Sequence, residues 1–218
     1  MNRATFATLA GLRRLLPHRA INYAEALVVA EKQANRLAAN HRESSIQEAD
    51  LLQLTPIRVE TDLSLVDSEH SGGSRYEAGQ WIIRIDPTEP TTRQRFTLAH
   101  ELKHIIDAPN AEAYTQLTDR QIERVCDHFA ACLLMSKPSI YRLWGNGIRT
   151  PEALAAALRV SLAAVTIRLR TLGLPINSIG GERYRCRPRL SSFSHGTSAS
   201  SPSAISATTG PVLSGATP

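Results

Sequence analysis

The sequence predicts an α+β protein, in which a small antiparallel sheet packs on a mainly helical core and is followed by a C-terminal helical pair and a disordered tail. Apolar residues recur at helical spacing before residue 40 and again after residue 90. Between residues 56 and 86, β-branched and polar residues alternate as they do in strands. From residue 191 to residue 218 the chain has no Lys, Arg, Asp or Glu, and it has too few large apolar groups to become ordered.

These changes in composition divide the chain into three parts. Residues 1–19 are predicted to form a basic N-terminal arm, and residues 20–175 one folded domain that includes the helical pair at 150–173. Residues 176–218 are predicted to form a linker and a disordered tail rich in Ser, Thr, Ala, Gly and Pro. Arginines interrupt the apolar stretch of the arm, which argues against a secretory signal and leaves an organelle transit peptide as the alternative.

Before the sheet, a helix is predicted for residues 23–39. Asn22 followed three residues later by Glu25 is a capping-box pattern. The apolar stripe of this helix is predicted to be Ala24, Leu27, Val28, Ala34 and Leu37. The segment SIQEADLLQL favours a further short helical piece. The strands then follow in IRVETDLSL and RYEAGQWIIRID, with SGGS as a turn between them.

After the sheet, helices resume. TTRQRFTLAHELKHII is predicted to bury its leucines and isoleucines and to end at Pro109. The next helix begins at Thr118 and carries one apolar stripe, composed of Ile122, Val125, Cys126, Phe129, Ala130 and Leu133. Two short helices then begin at Pro151 and Ser161. They resemble a helix-turn-helix, and Arg168 and Arg170 offer phosphate contacts. The apolar second helix nevertheless makes direct nucleic-acid binding an unlikely role.

Bulk composition narrows the function classes. The net charge is +5 and the sequence pI is about 9.4, which permits contact with nucleic acid without requiring it. Cys126, Cys132 and Cys186 form no CxxC pair, so neither a disulfide framework nor a zinc ribbon is indicated. No apolar run is long enough to span a bilayer. We expect a cytoplasmic protein.

The helix that follows the sheet carries the clearest chemical pattern. His100 and His104 are four residues apart, so their imidazoles can point at one metal ion, and Glu101 lies beside them as a candidate general base. The alternative is an amphipathic helix whose polar stripe faces solvent. Two carboxylates on the next helix, Glu123 and Asp127, share one face. Glu123 can bind the metal while Asp127 orients an imidazole, and the reverse assignment stays open.

Three segments together resemble the ImmA/IrrE family of metallopeptidases, namely RQRFTLAHELKHII, IERVCDHFAACLLM and LRVSLAAVTIRLRTLGL. The resemblance covers roughly residues 20–175. It implies a zincin-like metallopeptidase core of the gluzincin type, in an intracellular zinc protease that cleaves helix-turn-helix transcriptional repressors. It also implies zinc at His100, His104 and Glu123, with Glu101 as the catalytic base that activates a zinc-bound water.

The chain departs from the family pattern at three positions near this motif. Lys103 stands where the family usually has Gly, and we expect it to add a cation beside the site. Asp127 stands where Asn is frequent, and Ser136 where Pro is frequent. None of these changes removes a ligand or the base. For the donor that stabilises the oxyanion, Tyr114 and His128 are the two candidates.

Two function classes therefore follow from the sequence. The favoured one is a zinc endopeptidase that acts on a repressor-like protein. The alternative is a regulatory or antitoxin-like binding module that retains a metal site. Glu101 favours the enzyme, because a binding module has no need of a general base. The strand WIIRID, just before the motif helix, is expected to be an edge strand that pairs with the substrate.

Overall fold

A computed structural model of the chain describes residues 8–39, 54–65 and 71–176. The short helical piece expected at SIQEADLLQL and the tail expected after residue 176 lie outside the described residues, apart from Leu54. Within them, the structure confirms the α+β class, with a three-stranded sheet packed on helices. No described helix is long and apolar enough to cross a membrane.

The N-terminal segment is part of the core, and the expectation of a basic arm is wrong for residues 8–19. Helix α1 spans Leu9–Arg13, and Leu12 and Leu16 are fully buried in the main apolar cluster. Arg13 donates hydrogen bonds from Nε to the carbonyl of Ile106 at 3.1 Å and from Nη2 to that of Ile105 at 3.1 Å. A cation is favourable at these carbonyls because they lie in the last turn of a helix.

Helix α2 spans Tyr23–Ala38, with the expected capping box between Asn22 and Glu25. Its buried face is rotated from the predicted stripe, because Ala24 and Val28 are exposed. The residues that α2 buries are Ala26, Val29, Ala30, Gln33, Ala34 and Leu37. A buried face predicted from apolar residues alone could not include Gln33. Its buried amide belongs to a polar cluster described below.

The sheet contains strands β1, Ile57–Thr61; β2, Gly72–Glu77; and β3, Gln80–Ile85, in the order β1-β3-β2. β2 and β3 form an antiparallel hairpin, whereas β1 runs parallel to β3. The prediction of a purely antiparallel sheet is therefore wrong for β1. Alternation of residue types indicates strands but does not encode their direction, which here depends on a chain crossing from one side of β3 to the other.

The central position of β3 overturns the expectation that WIIRID is an edge strand. Both sides of β3 are hydrogen-bonded, to β1 on one side and to β2 on the other. Ile82 and Ile83, on its two faces, are both buried. Substrate cannot pair with a strand whose ladders are occupied on both sides. The edges among the described strands are β1 and β2.

Five helices follow the sheet in the described part of the chain. They are α3, Thr91–Asp107; α4, Asp119–Leu134; α5, Lys137–Gly145; α6, Pro151–Leu158; and α7, Leu162–Thr171. A 3₁₀ segment, Ala108–Tyr114, connects α3 to α4. α3 packs on β2, β3 and α4, and α2 packs on α4. α3 is therefore held between the sheet and the other large helices.

Side chains cap the N-termini of four of these helices, and the sequence predicted the starts of three of them. Thr118 and Gln121 form the predicted capping box of α4, and Thr150 and Ser161 cap α6 and α7. Helix α5 was not predicted, although Ser136 caps it and Pro138 stands in its first turn. Ser136 thus occupies the position where the resembled family often has Pro, and it performs a similar helix-starting role.

Arg168 does not serve as a phosphate contact. It is 4% exposed, and its Nε donates a hydrogen bond to the carbonyl of Met135 at 3.2 Å. The cation on α7 therefore anchors the helical pair to the end of α4. Of the two arginines suggested as phosphate contacts, only Arg170 is exposed.

Gly72 sets how closely β2 approaches α3. A Cβ at Gly72 would overlap Cγ2 of Thr97 and lie 2.8 Å from the carbonyl oxygen of Arg84. The Gly72→Ala variant should therefore lose roughly 1–3 kcal/mol of folding free energy by overpacking. Gly73→Ala is the matched control, since nothing lies within 4 Å of its added Cβ. Urea unfolding of both variants tests this, and equal stabilities would contradict the close packing.

Candidate metal centre

Helices α3 and α4 bring two imidazoles and one carboxylate to a single point. Nε2 of His104 lies 3.2 Å from Nε2 of His100. Oε2 of Glu123 lies 3.1 Å from Nε2 of His100, and its Oε1 lies 3.4 Å from Nε2 of His104. Helical spacing stacks the two imidazoles on one face of α3, and α4 supplies the carboxylate that faces them.

Asp127 contacts the other side of the His100 ring. Its Oδ1 lies 2.9 Å from Nδ1 of His100, while Nε2 of the same ring faces Glu123. A proton on Nδ1 therefore leaves Nε2 free as a ligand atom. Glu123, rather than Asp127, is the carboxylate next to both Nε2 atoms.

The electrostatics of the site favour a bound cation. Burial disfavours the charged form of His100, but its hydrogen bonds to Asp127 and Glu123 outweigh that effect and raise its pKa to about 9. Hydrogen bonds from His100 and then His104 lower the pKa of Glu123 well below its usual range. Glu123 thus remains ionised beside the two imidazoles and stabilises positive charge there, whether it is a proton or a metal ion.

The donor set fits zinc. Two imidazole nitrogens and one carboxylate are a typical protein ligand set of a catalytic zinc site, which keeps a fourth position for water or substrate. All three groups come from regular helices, whose backbones hold them in place. The residues present are therefore suited to the metal that the sequence pattern indicates.

Glu101 occupies the flank of the histidine stripe that faces the sheet. It follows His100 directly and precedes His104 by one helical turn. Its side chain is 8% exposed. Thr97, four residues earlier on the same face, is the residue that Gly72 of β2 approaches. Glu101 is therefore buried on the same side of α3 as Thr97, which the start of β2 approaches.

Cys126 is a further candidate ligand that the sequence reasoning missed. Its Sγ and one ring nitrogen each of His100 and His104 all lie within 4.8 Å of one another. Cys126 had been placed in the apolar stripe of α4, and it is buried there. The signal that could have identified it is its position three residues after Glu123, on the same helix face. Of the two, Glu123 is the better third ligand, because both its oxygens lie closer to the histidines.

Lys103 is not a cation at the surface of the site, which corrects the sequence expectation. It is fully buried, and its Nζ contacts Oδ2 of Asp107. Nζ also donates hydrogen bonds to Oε1 of Gln33 at 2.7 Å and to the hydroxyl of Tyr114 at 3.1 Å. We call these four residues the Lys103 cluster. The charge that replaces the usual Gly therefore joins α3 to α2 and to the 3₁₀ segment.

Neither residue suggested as the oxyanion donor faces the metal site in the described structure. The Tyr114 hydroxyl donates to Oδ2 of Asp107 at 2.5 Å inside the Lys103 cluster. Nε2 of His128 lies 3.5 Å from Sγ of Cys132, one turn along α4. Burial lowers the pKa of His128, and Arg168 lowers it further. Both side chains are engaged elsewhere.

Comparison with known proteins gives one family. The Peptidase_M78 family model, described as the IrrE N-terminal-like domain, matches residues 57–170. No curated protein matches the chain. Among solved structures, a Mycobacterium tuberculosis transcriptional regulator is similar with 18% sequence identity and a TM-score of 0.48, over 77% of this chain and 52% of that chain. The chain thus spans about half the length of that protein.

Removing one charge from the Lys103 cluster should destabilise the protein strongly. Asp107→Ala leaves a buried ammonium group without its carboxylate, and the expected loss is about 3–5 kcal/mol. The double variant Lys103→Met, Asp107→Leu removes both charges and should recover most of this loss. Glu112→Ala, at an exposed carboxylate in the adjoining 3₁₀ segment, is the control. Equal urea-unfolding stabilities for Asp107→Ala and Glu112→Ala would contradict a structural role for the pair.

Proposed function

The chain belongs to the IrrE N-terminal-like domain family of metallopeptidases, and on that premise we propose that it is a zinc-dependent endopeptidase that cleaves a protein partner. The observation that carries the proposal is the convergence of His100 Nε2, His104 Nε2 and the Glu123 carboxylate within 3.4 Å of one another. The family resemblance indicates a helix-turn-helix transcriptional repressor as the partner. Such a partner places the activity in the cytoplasm.

The chain's own residues divide the chemistry between them. His100, His104 and Glu123 would hold the zinc ion, and Asp127 would keep the His100 imidazole oriented. Bound zinc supplies the positive charge that acidifies water and polarises the scissile carbonyl. Glu101 accepts the proton of the attacking water and then delivers it to the leaving amine. Its position on the sheet side of the histidines places this proton transfer beside β2.

The outer edge of β2 is suited to hold an extended substrate. The N–H of Asp86 donates to the carbonyl of Ser71 at 3.1 Å, which marks these two as a hydrogen-bonded pair. Such pairs alternate along an antiparallel ladder, so the N–H and C=O groups of Gly72, Ser74 and Tyr76 point away from β3. β2 also approaches α3 on the face that bears Glu101. A peptide paired with this edge would therefore pass the candidate base.

Metal content and cleavage should separate in two single variants. Glu101→Gln should keep one zinc per chain and lose cleavage by at least about a hundredfold, because it removes only the base. Glu123→Ala should lose the zinc together with the activity. Elemental analysis of each purified protein and a cleavage assay on a co-expressed repressor-like partner measure both effects.

Asp127→Ala is the matched control for the ligand assignment, since it removes a carboxylate from the same face of α4. Asp127 contacts a proposed zinc ligand rather than the zinc itself. Its loss should therefore weaken zinc binding roughly 10- to 100-fold without abolishing it. Full zinc in Glu123→Ala with none in Asp127→Ala would reverse the assignment. A wild-type protein that binds its partner tightly, holds zinc and leaves the partner intact would favour a binding module.

Blocking the outward N–H of Ser74 should impair cleavage without removing the metal. Ser74→Pro deletes a donor on the free edge while the inward ladder bonds of β2 stay available. We expect a rise in KM for the protein substrate, with zinc content unchanged. Ser74→Ala keeps the N–H and should behave as wild type. Equal KM values for the proline and alanine variants would show that β2 does not hold the substrate.

A further inference from the structure

Cys126 lies beside the two histidines of the candidate metal centre. Its Sγ and one ring nitrogen each of His100 and His104 lie within 4.8 Å of one another, and the residue is 2% exposed. A sulfur and a nitrogen bound to one zinc ion can be at most about 4.4 Å apart. Cys126 also shares the face of α4 that carries Glu123.

Charged groups surround this thiol on two sides. Burial raises the pKa of Cys126 well above its ordinary value, and the Lys103 ammonium opposes that rise. The negative charges of Glu123, Asp107 and Glu101 raise the pKa of Cys126 further. A zinc ion held by the histidines adds a much larger positive charge, and thiols that coordinate such an ion are deprotonated outright.

We propose that Cys126 is a fourth protein ligand of this metal centre, which completes a set of two histidines, one glutamate and one cysteine. The inference rests on the proposed function for the identity of the centre. When the thiolate binds, the S–H bond breaks, the proton passes to solvent and no electrons are transferred. Cys126 then occupies the position that catalysis needs for water.

A centre with four protein ligands is closed, and it opens only when Cys126 leaves. A soft thiolate also increases the affinity for zinc over that of a site with three protein ligands. Removing Cys126 should therefore change two properties in opposite directions: zinc affinity falls and proteolysis rises. Loss of an ordinary ligand such as Glu123 lowers both.

Cobalt substitution tests the ligand directly. The full-length chain with Cys186→Ser serves as the parent, and Cys126→Ser and Cys132→Ser are made in it. Cys132 is the matched control, because it is a second buried free thiol on α4. Loading with Co²⁺ should give visible ligand-field bands together with a near-ultraviolet thiolate-to-cobalt band. The thiolate band should persist in Cys132→Ser and vanish in Cys126→Ser.

The parent spectrum alone decides the proposal, even where the Cys126→Ser variant fails to fold. Ligand-field bands without a thiolate band overturn the Cys126 assignment and leave the proposed function intact. The absence of both kinds of band overturns the Cys126 assignment and the proposed function together. In competition titrations with a zinc chelator, Cys126→Ser should bind zinc more weakly than the parent, by more than the roughly 10- to 100-fold lost with an outer partner. Unchanged zinc affinity also overturns the assignment.

Discussion

The ion pair between Lys103 and Asp107 lies in the core of the protein, on the flank of α3 that faces α4. The pair belongs to the Lys103 cluster, whose four residues come from α2, α3 and the 3₁₀ segment, and Gln33 also donates to the carbonyl of Leu12 at 3.2 Å. A buried polar network is stable only in the arrangement that satisfies all its members. Rotation of α3 about its axis would separate Lys103 from Gln33 and Tyr114, its partners on other elements. The direction of the two histidines is therefore set by a contact that does not touch the metal.

The opposite flank of α3 is set by packing rather than by charge. Gly72 lets β2, an edge strand among the described strands, approach Thr97 closely on the face of α3 that bears Glu101. A chain held by backbone hydrogen bonds gains affinity with little sequence preference. Under the proposed function, the protein partner would then have to be selected by surfaces outside the cleft. The same reasoning explains why an extended or locally unfolded loop is the expected target.

Sequence reasoning succeeded where the signal is local. Capping boxes at Asn22 and Thr118 are complete within one turn, so the starts of α2 and α4 could be predicted. The spacing of His100 and His104 is likewise a property of one helix. The direction of β1 is different, because it depends on how the chain crosses β3. Nothing in a linear pattern reveals such a crossing.

The burial of polar side chains was the other feature that the sequence did not predict. Lys103 was expected to add a cation beside the site, but a lysine can be fully buried when it is paired. Its partner Asp107 lies one helical turn away on α3, whereas Gln33 lies 70 residues earlier and meets Lys103 only in the fold. The burial of Leu12 and Leu16 was not predicted, for a related reason. The surrounding arginines suggested a solvated arm, although Arg13 is in fact bonded to the end of α3.

Lys103 and Cys126 are close in space although they lie on different helices. Lys103 replaces the glycine that the resembled family usually has, and from inside the core it acts to lower the pKa of the thiol. Local rules are most often broken at functional positions. A protease that finds its partner by surfaces outside the cleft can cut any accessible chain that reaches an open metal site. Holding that site closed with an internal thiolate would limit such cutting, so control and selectivity would reside in different parts of the molecule.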